Sequence, residues 1–274
     1  MEPSLTITTL EVAGRECHRR EIELIVEEPL EIRINGEPYA TIMRTPGFEM
    51  ELAAGFCFTE GIIDSLAEVL TLGFCADAEN TGNIVNVMTA AGRAGERSSA
   101  SVEPRKASGR RLESRSSCGL CGVTMLEDIN RVLLPLEDEL RIPAVDIVRM
   151  QYVMVEKQAL QARTKGVHAV ALVRPDGVPV IVREDVGRHN ALDKAIGHAL
   201  LYGIDCSGCV AILSGRISFE MAQKAIRARI PVVAAVSAAT ALAVDLANHL
   251  NCTLIGRLRD DSLSIYTHQE RIVC

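Results

Sequence analysis

Residues 210–256 read VAILSGRISFEMAQKAIRARIPVVAAVSAATALAVDLANHLNCTLIG, and the fold turns on them. Val210–Leu213 is a short apolar run of buried-strand type. Ile217–Arg229 carries Phe219, Ala222 and Ile226 at helical spacing, Val232–Val236 is a second apolar strand, Ala238–Leu250 a second helix and Thr253–Gly256 a third strand. This β-α-β-α-β alternation predicts an α/β fold whose sheet is covered by helices on both faces. In such sheets functional residues gather at strand ends. Working upstream, Gly166–Val173 and Val178–Val182 read as strands around an Asp176-Gly177 turn. Asn190 reads as the cap of a helix running through Leu201, with Asp193 as a capping-box acid.

Further out the character changes. Residues 4–12 and 21–34 are strand-like, and Asn35-Gly36 is a hairpin signal leading into Tyr39–Met43. Thr45-Pro46 opens a helix with Met50, Leu52 and Phe56 inward, Cys57 in its core and Gly61 at its close. Ile84–Met88 is a further strand. From residue 90 to 117 arginine, serine and glycine dominate. Both a solvated linker and an arm carrying positive charge to the neighbouring cysteines fit that composition. A short helix is expected over 124–133, and another starting at Asp146 with Ile147, Met150 and Met154 as core. The division is therefore a smaller α+β domain at 1–90, a basic arm and cysteine loop at 91–123, and an α/β domain at 124–274.

Composition narrows the function classes. The 274 residues are 48% hydrophobic and 24% charged, with 3% aromatics and no Trp, so Val, Ile, Leu and Ala must fill a soluble core. A formal charge of −7 argues against a broad nucleic-acid face. The start MEPSLTITTLEV lacks the features of a signal peptide, and residues 230–244 are too short to span a bilayer, so a cytoplasmic protein is expected. Nine cysteines in a reducing compartment point to chemistry or coordination more than to a disulfide framework.

Two features carry candidate chemistry. Ser116-Ser117-Cys118-Gly119-Leu120-Cys121-Gly122 is a CxxC among small residues. That spacing serves dithiol redox exchange, half of a zinc site, or sulfur transfer through a persulfide. Cys206 and Cys209 form a second CxxC, so a four-thiolate structural zinc site is open to spacing alone. The second feature is a set of polar strand-to-helix junctions. Arg183, Arg188, His189 and Asn190 lie in one, Ser214 and Arg216 in the next. Ser237 and Thr240 together with Gly256, Arg257, Leu258, Arg259, Asp260 and Asp261 form the third. Free helix-terminal N–H groups beside arginines suit phosphates, and aspartates suit the N–H groups of a purine ring. His168 is either a hydrogen-bonded interior histidine or a pocket wall. No GxxxxGK[ST] loop is present, nor a GxGxxG after a strand.

The segments SSCGLCG at 116–122, KGVHAVAL at 165–172, REDVGRHNALDKAIG at 183–197, SGRISFEMAQKA at 214–225 and PVVAAVSAATALAVDLA at 231–247 together resemble the FdhD family of formate dehydrogenase accessory sulfur carriers. The resemblance implies a cytidine-deaminase-like three-layer α/β/α larger domain with a smaller β-containing domain, acting as a homodimer. It implies a sulfurtransferase that takes persulfide sulfur from a cysteine desulfurase. That sulfur passes to bound molybdenum bis-molybdopterin guanine dinucleotide, making formate dehydrogenase active. Cys118 matches the persulfide carrier and Cys121 the auxiliary thiol, with Gly256–Asp261 near the cofactor and no resident metal, nucleic acid or membrane partner. Deaminase chemistry is not implied, because the HxE and PCxxC zinc pattern is missing. Lys165 stands where the family pattern implies glycine.

Overall fold

The computed structural model describes residues 2–75, 82–90, 133–137, 140–259 and 261–274. The expected helix over 124–133 lies outside these residues, apart from Leu133. At the centre is a six-stranded sheet built from β8 (His168–Val173), β9 (Pro179–Asp185), β10 (Val210–Leu213), β11 (Val232–Ala235), β12 (Thr253–Arg259) and β13 (Ser262–Ile265). Its order is β13-β12-β11-β10-β8-β9. β10, β11 and β12 run parallel, each joined to the next through a crossover helix, while β8, β9 and β13 are added antiparallel to their neighbours.

Alternation along these strands divides the core. Val170, Leu172, Ala211, Leu213, Val233 and Ala235 point to one face. There they pack on helices α4 (Arg188–Leu201), α5 (Phe219–Arg227) and α6 (Ala241–His249). Ala169, Ala171, Val173, Val210, Ile212 and Val232 point to the other and pack on α2 (Ala144–Glu156) through Ile147, Met150 and Met154. The chain therefore folds as mixed α/β. Two short strands, β7 (Ile142–Pro143) and β14 (Ile272–Val273), pair in parallel beside α2, and α3 (Ala159–Thr164) follows it.

The amino-terminal residues form a four-stranded sheet of order β4-β3-β6-β5 from β3 (Glu28–Ile34), β4 (Glu37–Arg44), β5 (Val69–Phe74) and β6 (Ile84–Thr89). Asn35 and Gly36 turn β3 into β4 with φ of 54° and 88°, the paired left-handed values of a tight hairpin. Helix α1 (Glu49–Thr59) covers the sheet, burying Leu52 and Cys57 against Leu30, Ile32, Val85 and Val87. Burial pushes the Cys57 thiol up to about 12, so it is a packing residue. Ahead of this sheet, β1 (Ser4–Ala13) and β2 (Glu16–Ile25) make a separate two-stranded hairpin.

Helix α1 crosses α4 at backbone distance. A Cβ built at Gly55 would overlap the Asp193 carbonyl, and one at Gly197 the Glu51 carbonyl. Three polar networks lock the crossing. Glu51 accepts from Arg183 Nε (2.5 Å) and Nη2 (2.7 Å) and lies 3.0 Å from His198 Nδ1. Lys224 Nζ reaches Thr59, Glu60 and Asp193 at 2.8, 2.9 and 3.0 Å. Asp185 holds Lys194 Nζ at 2.7 Å and accepts from the Thr45 amide at 3.1 Å.

Several boundaries differ from expectation. α2 begins at Ala144 after Pro143, with Asp146 inside its first turn and paired to Arg149 at 2.8 Å. α4 begins at Arg188 after Gly187, and Asn190 is a buried helix residue donating to Met43 O (2.7 Å) and Asp185 (2.9 Å). Asp193 faces Lys224, not the helix end. Thr240 is the cap that α6 uses, accepting from the Ala243 amide, so that helix starts at Ala241.

Candidate functional site

The antiparallel placement of β8 beside β10 decides the geometry. It brings the start of β8 to the carboxyl end of β10, where the chain leaves the sheet through Ser214, Gly215 and Arg216 toward α5. The Ala169 amide donates to Ser214 Oγ (2.9 Å) and the Ser214 amide to Ala169 O (3.0 Å). His168 Nδ1 lies 3.5 Å from the same hydroxyl. A Cβ at Gly215 would stand 3.3 Å from His168 Nδ1 and 3.5 Å from Arg188 Cδ, so glycine lets those side chains close over the turn.

Arg188 and His189 open α4 beside this turn, and Ser218 stands at the cap position of α5. Three of their polar atoms are buried yet have no hydrogen-bond partner among the described residues: Arg188 Nε, His189 Nε2 and Ser218 Oγ. His189 Nε2 is 2.9 Å from Glu220 Oε2, but the directions do not make a hydrogen bond. Ser218 likewise makes no side-chain bond to the helix it precedes. Buried polar groups are normally hydrogen-bonded, and three atoms without such a bond at one strand-to-helix junction make it the candidate ligand site.

The field there is positive. Burial, followed by the Arg188 and Lys224 cations, lowers His189 to about 4, so its imidazole is neutral near neutral pH. Burial and Arg188 also lower His168. The amino ends of α4 and α5 add their unpaired N–H groups to this side. Such a site favours oxyanions, through a guanidinium, a hydroxyl and a neutral imidazole.

The next junction continues the edge. The Arg257 amide donates to Ser237 O (2.8 Å), with Arg257 itself exposed at φ 54°. Gly256 is buried where a Cβ would meet Tyr266 Cε2 at 2.6 Å and Ser237 O at 2.9 Å, so glycine lets β12 pass close to Ser237 just beyond the end of β11. Arg216, Arg259 and Asp261 are exposed.

The candidate residues thus separate. His168, Arg188, His189 and Ser214 come together, with Ser237, Gly256 and Arg257 at the adjoining strand ends. Arg183 is committed to Glu51, and Asn190 to Met43 and Asp185. Leu258 is wholly buried in the core, and Thr240 caps α6. Cys118, Cys121, the basic arm and Asp260 lie outside the described residues. Cys206 and Cys209 are buried, and burial lifts both thiols, Cys206 to about 12, which disfavours the thiolate that redox exchange or metal binding needs. Ser218 and Glu220 are functional candidates that the sequence reading does not single out, whereas Gly215 belongs to its Ser214-Gly215-Arg216 junction. A serine just ahead of an apolar helical run, the ordinary mark of a cap, was the one available signal.

A mixed α/β sheet with buried polar atoms left without hydrogen-bond partners at one strand-to-helix edge defines the fold and its candidate site. Residues 25–273 match the FdhD/NarQ family, and the chain belongs to it. A relative from Mycolicibacterium paratuberculosis, named sulfur carrier protein FdhD, is 43% identical over 267 residues, covering 95% of both chains. One of the same name from Streptomyces avermitilis is also 43% identical, over 91% of this chain and 88% of that one. The fold matches a crystal structure from Desulfotalea psychrophila, titled as a formate dehydrogenase accessory protein. That match has a TM-score of 0.78 at 22% identity and covers 99% of this chain and 100% of the other. Among the described residues no helix is long and apolar enough to cross a membrane.

Proposed function

We propose that this chain is a sulfur carrier that takes sulfane sulfur from a cysteine desulfurase on Cys118. The sulfur is then delivered to molybdenum bis-molybdopterin guanine dinucleotide bound along the sheet edge, for use by formate dehydrogenase. In the loading step the Cys118 thiolate attacks the terminal sulfur of the donor's persulfide. The donor S–S bond breaks, its cysteine leaves as thiolate, and a new S–S bond forms on Cys118. Cys121 relays or protects that sulfur. The phosphates of the cofactor are met by Arg188, Ser218 and the amino ends of α4 and α5, while neutral His189 and His168 offer hydrogen bonds without adding charge. The protein works in the cytoplasm as a pair of identical chains, its larger part arranged as in cytidine deaminases.

The observation that carries this reading is the family match across residues 25–273, a span that contains both cysteines and all three junctions. Arg188 Nε and Ser218 Oγ, buried without a hydrogen-bond partner among the described residues, support the ligand half independently, with His189 Nε2 held only by the Glu220 carboxylate. Incubation with a desulfurase and cysteine is expected to add one sulfur atom, about 32 Da, by intact mass. Cys118→Ala is expected to abolish the addition. An unchanged mass in the wild-type chain sinks the carrier reading, and a reversible disulfide needing both Cys118 and Cys121 would replace it with dithiol exchange.

A further inference from the structure

We infer that the β1–β2 hairpin is the arm through which two copies of this chain associate, β1 pairing edge to edge with β1 of the second copy. This rests on the two-chain reading above and gives it an interface. The hairpin is ten residues long on each side, yet its sheet has only two strands among the described residues. A lone two-stranded hairpin has little stability in water, and three or more strands with an apolar face are needed. Among the described residues its base touches the body, through Glu23 to Arg163 (3.2 Å) and Ile25 packed near Gly166. Residues 10–21 are all exposed, including Leu10 and Val12 at 62% each.

The hydrogen-bond phase identifies the free edge. The Val26 amide bonds Pro3 O, and the register pairs Leu5 with Leu24 and Ile7 with Ile22. Alternation then turns the N–H and C=O groups of Thr6, Thr8, Leu10 and Val12 outward. Charge selects this edge for self-pairing. β1 carries one charged side chain, Glu11, whereas β2 carries Glu16, Arg19, Arg20, Glu21 and Glu23. Each chain has a formal charge of −7, so two copies meet with least repulsion along β1. A two-fold axis near Thr8 keeps the two Glu11 side chains apart.

Such pairing yields a four-stranded antiparallel sheet. Leu5, Ile7, Ile22 and Leu24 from each copy share one face, opposite to Glu23 and Ile25, which touch the body. The edge lacks the lysines, prolines and bulges that normally block such pairing.

Light scattering on the full chain after size exclusion tests this. The wild type is expected at the mass of two chains. Thr8→Pro removes one outward N–H and leaves the internal ladder intact, and Thr6→Lys/Leu10→Lys charges the edge. Both variants are expected at half that mass with an unchanged far-UV spectrum. A wild type of one-chain mass overturns the two-chain reading itself, as a partner of another kind on this edge would require. A two-chain mass in the wild type and in either variant overturns only the hairpin assignment.

Discussion

A neutral imidazole can accept a hydrogen bond as well as donate one, and His189 stays neutral down to a pH of about 4 because burial and two cations oppose its proton. The ordinary histidine value is 6.5, so between 6.5 and 4 the unfolded chain takes up a proton that the folded chain refuses. Its contribution to stability is complete above 6.5 and is lost as pH falls toward 4. His189→Gln is therefore expected to flatten the decline in urea midpoint between pH 7 and pH 4.5, leaving the smaller slope that His168, shifted in the same direction, supplies. An identical slope in the variant would show that His189 titrates normally. Arg188 and His189 were legible in sequence because they are polar residues between a strand and a helix. Arg183 and Asn190 share that setting but serve the interior. Their partners Glu51 and Met43 lie 132 and 147 residues away, and no local pattern announces them.

Helices α1 and α4 meet where Gly55 and Gly197 leave room for each other's backbone. Gly197→Ala should force the helices apart and cost about 1–3 kcal/mol or more, read as a lower urea midpoint. A neutral result would mean that the crossing can shift without loss. Beside it, burial works against charge on Lys224, yet the carboxylates of Asp193 and Glu60 outweigh it and hold the ammonium charged. Removing Asp193 leaves Lys224 with Thr59 and the half-exposed Glu60, so Asp193→Leu is expected to cost about 1.5–3 kcal/mol and Asp193→Leu/Lys224→Met less than that. A double variant as unstable as the single one would contradict this. The alternation of strands and helices from Gly166 to Gly256 was readable because its apolar runs are short and separated by clear helical spacing. Helix starts were less so. Asp146 and Asn190 are good caps by type, but Pro143 and Gly187 stop the preceding chain two or three residues earlier. Lys165 adopts φ 55°, a left-handed value that glycine takes with least strain.

The four-stranded sheet with α1 has its own apolar cluster, as does each face of the large sheet. Buried polar links nevertheless cross between the two parts at Asp185, Glu51 and Lys224. Opening one part would leave those charges unpaired in the other. Calorimetry and urea unfolding followed by different probes are thus expected to report a single coincident transition for the four-stranded sheet with α1 and the six-stranded sheet with its helices. Two separated transitions would mean that the links are weaker than their burial implies. None of these crossings is visible in sequence, since each joins segments more than 130 residues apart.

The stretch from Asp185 to Lys194 divides its labour by position. Asp185, Asn190 and Lys194 grip the segment Met43–Thr45, while Arg188 and His189 keep buried atoms without hydrogen-bond partners among the described residues at the candidate junction. The Thr45 amide hydrogen, bonded to the wholly buried Asp185, therefore sits one side chain removed from the candidate junction without touching it. Its rate of exchange with deuterated solvent becomes a built-in gauge, slowing when an anion steadies the start of α4 and leaving the anion's own contacts undisturbed by the measurement.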